Sequence, residues 1–416
     1  MPPRISGSRW LRLIPVAFIT YSLAYLDRAN FGFATAGGMA ADLRITPAVS
    51  SLLSSLFFLG YFFFQLPGAI YAERKSARKL IFISLLLWGS LAIATGLISH
   101  TGWLMAIRFA LGVVESAVMP AMLIFLSRWF TKAERSRANT FLILGNPVTI
   151  LWMSILSGYL VRSLGWRWMF VWEGLPAIIW AFFWRRLVTD GPADADWLTD
   201  DQKQALEQTL QEEQKAIPPV KNYAAAFRQR VVILLCLQYA LWSIGVYGFV
   251  MWLPSILHAG GSDMVNTGWL SALPYVLAVA GMVCASYFSD RSGRRKVFIW
   301  PFLLVGALAF YGSYLAGNQY FWLSYGLLIL AGGAMYAPYG PFFALIAEIL
   351  PRNVSGGAFA LINSLGALGS FAGAYLVGYL NGATGGFGSS YVFMAASLLG
   401  SAILTLLVDT RGAKAF

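Results

Sequence analysis

Apolar positions in this chain fall in long, nearly unbroken runs, and the polar positions collect between them. A helix needs about 20 consecutive apolar residues to cross a bilayer. Runs of that length lie at 11–36, 47–71, 79–99, 102–129, 136–162 and 165–188, and again at 231–257, 265–288, 297–316, 319–349, 353–381 and 388–408. The pattern predicts an all-α integral membrane protein of twelve transmembrane helices in two six-helix halves, 1–188 and 231–416. One long polar segment, 189–230, joins them. Within it, Trp197-Leu198-Thr199-Asp200-Asp201 reads as a helix start, with Thr199 as cap and acids in the first turn. Leu206 and Leu210 then recur at helical spacing, and Pro218-Pro219 ends the helix. That helix reads as a surface connector between the halves; a regulatory or partner site is the alternative.

Composition agrees with the pattern. The chain is 58% hydrophobic and 12% charged, where a soluble domain carries about a quarter charged residues. The net charge of +12 does not point to nucleic acid, because the basic residues sit in short loops between apolar runs. Those clusters are Arg74-Lys75 with Arg78-Lys79, then Arg128 to Arg137, Arg185-Arg186 and Arg291 to Lys296, all on the side of the N-terminus. By the positive-inside rule both termini and the linker are cytoplasmic. Cys236 and Cys284 lie in separate runs with no metal-ligand spacing, and both read as small buried apolar residues. Arg4, Arg9 and Arg12 before an apolar run imitate a signal peptide, but the run is too long and contains Asp27 and Arg28, so it reads as a retained first span.

Two loops repeat. Glu73-Arg74-Lys75-Ser76-Ala77-Arg78-Lys79 follows the second run, and Asp290-Arg291-Ser292-Gly293-Arg294-Arg295-Lys296 follows the eighth. Parallel halves with a site between them at mid-membrane are one way to build a secondary transporter.

Charges inside the spans carry the chemistry. They are Asp27, Arg28, Arg108 and Glu115, with Glu173 further along and Glu348 at the edge of the tenth run. An ionisable group at membrane depth costs several kcal/mol and by default marks a pathway. Asp27 and Arg28 point about 100° apart on their helix, so one faces the centre while the other faces a neighbour. An arginine in the centre suits a carboxylate, which it binds bidentately without losing its charge. Asp27 would then face Arg108. Glu115, two turns from Arg108, is the acid that burial pushes toward neutrality. A buried network holding helices together is the structural reading of the same set. Glu173 reads as a partner of Arg167, and Glu348 as one of Arg352 and the basic loops. Tyr25, Tyr61, Asn146 and Asn363 are neutral groups placed to hydrogen-bond a polyol, and Gln65 shares a face with Tyr61.

The loop at 290–296 is similar to the signature of the major facilitator superfamily; the copy at 73–79 has Glu73 for the aspartate and Ser76 for the glycine. Tyr25-Leu26-Asp27-Arg28-Ala29-Asn30, the stretch Arg108 to Ala117 with Pro120 and Trp129-Phe130, Gly165 to Phe170 with Glu173-Gly174, and Trp197-Leu198-Thr199 together resemble the anion:cation symporters, which import sugar acids and other organic anions. The resemblance implies substrate binding on Arg28, with Tyr25, Tyr61, Asn146 and Asn363 lining the site. It implies proton coupling on Asp27 and Glu115, with Arg108 in the same set. It also implies a cytoplasmic gate at Glu73, Arg74, Arg78, Asp290, Arg291, Gly293, Arg294 and Arg295. The expected protein is a monomeric, proton-coupled importer of a carboxylate-bearing anion in a bacterial-type inner membrane, an aldonate, uronate or oligogalacturonide before tartrate or an aromatic acid. It needs no cofactor beyond the proton gradient. An organophosphate antiporter and a transporter-like ligand sensor are the alternatives. No nucleophile–base pair, metal cluster or nucleotide loop suggests an enzyme.

Overall fold

The computed structural model describes residues 7–215, 229–349 and 352–408, and the side chain of Asp27 lies outside the described set. Among the described residues every regular element is helical. The first half comprises α1 (Ser8–Ala36), α2 (Pro47–Arg74), α3 (Ala77–Leu97), α4 (Thr101–Ser116), α5 (Val118–Ser127) and α6 (Lys132–Leu187). The linker helix is α7 (Asp200–Lys215). The second half comprises α8 (Arg230–Ala259), α9 (Met264–Ser292), α10 (Trp300–Ala316), α11 (Phe321–Tyr336), α12 (Tyr339–Ile349), α13 (Arg352–Thr384) and α14 (Gly388–Leu407).

Ten stretches are long and apolar enough to cross a membrane. One of them, Arg137–Leu187, is 51 residues long. It turns at Gly165, whose φ of 81° and ψ of 165° only glycine adopts readily, and so crosses twice. The 29 residues of α1 make the remaining crossing, at about 1.5 Å per residue. The total is twelve, as the apolar pattern predicts. α4 and α5 share one crossing, broken at Ala117, and α11 and α12 share another, broken at Ala337-Pro338.

Packing follows the two halves. In the first, α1 and α3 lie on α6, and α2 lies on α4; in the second, α13 and α14 flank α8, while α10 and α9 flank α11. Three pairs join the halves: α2 with α13, α9 with α6 and α1 with α8. Some of these junctions are tight. At the end of the bundle away from the N-terminus, a Cβ on Gly158 would lie 2.5 Å from the Met264 carbonyl oxygen. Arg162 also faces Asp263 across the halves there, at 3.9 Å.

The start of the linker docks on the first half. Trp197 stacks on Trp129 with centroids 5.5 Å apart, and the Arg12 guanidinium covers its other side at 5.2 Å. Arg9, 1% exposed, donates to the Trp129 carbonyl and pairs with Glu134 at 2.9 Å. Thr199 and Gln202 cap α7 reciprocally, Leu206 is buried, and Arg135 holds Glu213 at 3.7 Å. Pro218-Pro219 lies outside the described residues. Cys236 is buried, but Cys284 is exposed, contrary to the sequence reading, because it falls on a face of α9 that no other helix covers.

Candidate functional site: a cavity between the halves

The site is built by close helix contact. α2 and α4 meet at Gly60 and Gly112, where a Cβ on Gly112 would lie 1.8 Å from the Phe57 carbonyl oxygen. Only hydrogen fits there, and this approach brings the next turn of α4, with Glu115, beneath α1. Arg28 reaches down from α1, its Nε 3.1 Å from Glu115 Oε2, with the two side chains 5% and 0% exposed. Its guanidinium lies over the Tyr61 ring at 4.7 Å, a cation–π contact in a dry site. Nη2 of Arg28 has no hydrogen-bond partner among the described residues. A buried donor without a partner is costly, which makes this nitrogen a place for an acceptor to arrive.

That nitrogen belongs to a residue lining the cavity between the halves. From the first half, Arg28 is joined by Tyr21, Phe58, Tyr61 and Asn146; from the second, by Tyr239, Tyr247, Tyr339 and Asn363. Both halves bring phenols and an amide; the first adds the charge, and the second adds the hydroxyls of Ser243 and Ser370. The side chains from α6, α8 and α13 come mostly from the parts of those helices nearer the N-terminal end of the bundle, Arg28 lies past the middle of α1, and the opposite end is closed by the contacts at Gly158 and Arg162.

The structure distributes the expected site residues unevenly. Arg28, Tyr61, Asn146 and Asn363 line the cavity. Tyr25 does not; it is 1% exposed and sits a layer behind, its hydroxyl 3.4 Å from that of Tyr247 and 3.5 Å from that of Tyr336. Arg108 is also behind the wall, donating from Nε to the Leu53 carbonyl at 3.2 Å and covering the Phe31 ring at 4.3 Å. The side chain of Asp27 lies outside the described residues. Gln65 accepts from Ser364 at 3.0 Å, a contact between α2 and α13. Glu173 does not meet Arg167: it accepts from Ser157 at 2.6 Å, while Arg167 pairs with Asp42 at 3.1 Å, because a spacing of six residues puts the two on different faces of their helix.

The repeated loops form networks inside their own halves. In the first, the Ser76 hydroxyl and the Arg78 backbone N–H both donate to Asp190, and the Arg78 guanidinium donates to the Arg185 carbonyl. Glu73 and Arg74 are exposed at the end of α2, where the Glu73 carbonyl accepts from Arg128 at 2.9 Å. In the second, Arg295 holds Glu348 at 2.9 Å and also contacts Asp290, while Gly293 ends α9 with φ of 65°. Arg291 and Arg294 are exposed. Glu348 therefore belongs with Arg295; the side chain of Arg352 lies outside the described residues.

Sequence reasoning missed the pairing of Arg28 with Glu115. Spacing along α4 ties Glu115 to Arg108, whereas its partner comes from another helix. The cavity tyrosines of α8, Tyr239 and Tyr247, were also missed, and only their spacing of about two turns on one helix could have suggested them.

Twelve helices in two joined halves, enclosing a polar cavity with one buried cation, define a membrane carrier for a small molecule. The chain belongs to the Major Facilitator Superfamily, whose model matches residues 17–266 and 261–416. Among its relatives is a protein of Acinetobacter baumannii named "Quinolone resistance transporter", 32% identical and covering 96% of this chain and 94% of its own. Another, from Agrobacterium vitis, is named "Putative tartrate transporter" and is 30% identical, with 97% and 91% covered. The "D-galactonate transporter" of Escherichia coli is 26% identical, with 96% and 95% covered. A solved D-xylose-proton symporter shares the fold, with a TM-score of 0.79 at 15% identity over 98% of this chain and 99% of that one. This protein is accordingly a multi-pass membrane transporter and not an enzyme.

Proposed function

We propose that the protein is a proton-coupled importer of a carboxylate-bearing organic anion, a sugar acid in the first instance, in a bacterial inner membrane. The observation that carries the reading is Arg28: buried in the cavity wall, bound through Nε to Glu115, with Nη2 buried and without a hydrogen-bond partner among the described residues. Relatives named for tartrate and D-galactonate support an anionic cargo.

An entering carboxylate competes with Glu115 for one guanidinium. Two carboxylates on a single buried cation leave excess negative charge in low dielectric, so the arriving anion favours a proton on Glu115. Asp27, next to Arg28 in the chain, is the second acid in this scheme, and Arg108 fixes the wall behind them. Loading the anion and protonating the acids leaves a site nearly neutral, which the halves can carry past the apolar layer. Tyr61, Asn146 and Asn363 hydrogen-bond the remainder of the cargo, and Tyr25 acts through the Tyr247 hydroxyl. With the termini cytoplasmic, the present form is closed toward the outside and its cavity faces inward. Arg78, Asp290 and Arg295, bonded within their own halves in this form, would exchange partners when the bundle rocks.

The test is uptake by purified protein in proteoliposomes whose lumen is less acidic than the outside, against a panel of aldonates, uronates, tartrate and aromatic acids. Accumulation that tracks the inward proton gradient supports the reading. Uptake that needs a counter-anion inside and ignores external pH overturns the coupling and points to exchange.

A further inference from the structure

A second cavity lies outside the transport path, on the flank of the first half, between the start of α3 and the end of α6. It is lined by Arg78, Arg185, Arg186, Phe182 and Phe183. Two of its walls are locked together: the Trp184 indole donates to the Arg78 carbonyl at 3.0 Å, and the Arg78 guanidinium donates to the Arg185 carbonyl. The Arg185 guanidinium lies over Phe82 at 5.3 Å, and Phe82 meets Phe182 edge to face. Helix packing therefore fixes the backbone that carries the groove, while Arg185 and Arg186 are exposed on it.

We propose that this groove binds the phosphate headgroup of an anionic phospholipid, with its acyl chains along the aromatic wall. Three arginines line one groove, and no acid among the described residues lines it. Asp190, which holds the Arg78 backbone, is already engaged by Ser76, the Arg78 N–H and Arg128, the last at 3.6 Å. Arg78 Nε is buried without a hydrogen-bond partner among the described residues. Phe182 and Phe183 are 59% and 53% exposed, one turn inward from the arginines. A free phosphate would use the cations and leave the phenylalanines bare, whereas a lipid uses both layers at once. Basic pockets between helices at the membrane boundary take anionic lipid in this way. Loop arginines that serve topology alone have no need of a shared groove or an aromatic floor.

The test uses the full chain in neutral detergent micelles. Doping with dioleoyl phosphatidylglycerol should raise the melting temperature by about 3 °C or more, since a ligand of the folded state stabilises it. Phosphatidylcholine and inorganic phosphate should each leave it unchanged. The Arg185→Gln/Arg186→Gln variant should lose the shift, and native mass spectrometry of the unaltered protein should show phosphatidylglycerol retained in preference to phosphatidylcholine. That last measurement stands even if the variant fails to fold. Equal effects of the two lipids, an equal effect of inorganic phosphate, or an undiminished shift in a folded variant would each overturn the assignment.

Discussion

Replacing Glu115 by glutamine removes a charge without changing shape, and the energetic consequence can be worked from the geometry around Arg28. At 3.1 Å and an effective dielectric of about 20, the attraction between Arg28 and Glu115 is about 5 kcal/mol. Much of that is offset by the desolvation both groups have suffered, so a net gain of about 1.5 to 3 kcal/mol for an incoming anion is the expected scale. Each 1.4 kcal/mol is tenfold, so Glu115→Gln should bind its anion about 10- to 100-fold more tightly. Binding should also lose most of its dependence on pH. Transport should split: exchange across the membrane persists, while accumulation driven by a proton gradient fails. Binding is read by calorimetry at several pH values and transport in proteoliposomes. A variant with unchanged affinity and unchanged pH dependence, still concentrating its cargo, would refute competition for Arg28.

Other perturbations have definite outcomes. Gly112→Ala drives a methyl into the Phe57 carbonyl and should cost about 1–3 kcal/mol, seen as a lower melting temperature; Gly326→Ala, with nothing within 4 Å of the new Cβ, should be neutral or stabilising. Arg162→Gln loses an exposed pair and should cost less than about 1 kcal/mol, whereas Asp263→Ala also loses the cap on Asn266 N–H and should cost about 1 kcal/mol more by thermal melting. At the N-terminal clasp, burial would raise the Glu134 carboxyl, but the Thr131 N–H and the Arg9 guanidinium hold it below its ordinary range. A lowered folded value means its stabilisation is present above the unfolded value and is lost as pH falls through the folded one. The melting-temperature gap between the protein and Glu134→Gln should therefore be open at pH 7 and close below about pH 4.

The architecture was readable because its cause is local: a run of some 20 apolar residues has one way to satisfy its backbone in lipid. The corner at Gly165 and the break at Pro338 lay within that same logic. The site was readable only as far as single residues go. Arg28 stands out because a cation at membrane depth is expensive wherever it faces, and Asn146 and Asn363 stand out as amides among apolar neighbours. Partners are another matter. Glu115 meets Arg28 because Gly60 and Gly112 let two backbones touch, and Glu173 meets Ser157 because of a turn eight residues before it. Those contacts depend on how helices cross, which periodicity along one helix does not encode. The gate loops show the same division, since the charges repeat visibly while their pairing within each half is a property of this conformation.

The two walls of the cavity carry unlike chemistries, and that separates two jobs. Titration and charge recognition sit in the N-terminal wall, while most of the phenols and both serine hydroxyls that would judge a cargo's outline sit opposite. Exchanging Tyr239, Ser243 or Asn363 can thus retune which molecule is accepted without disturbing the energetic linkage. A carrier so divided can change diet while keeping its engine.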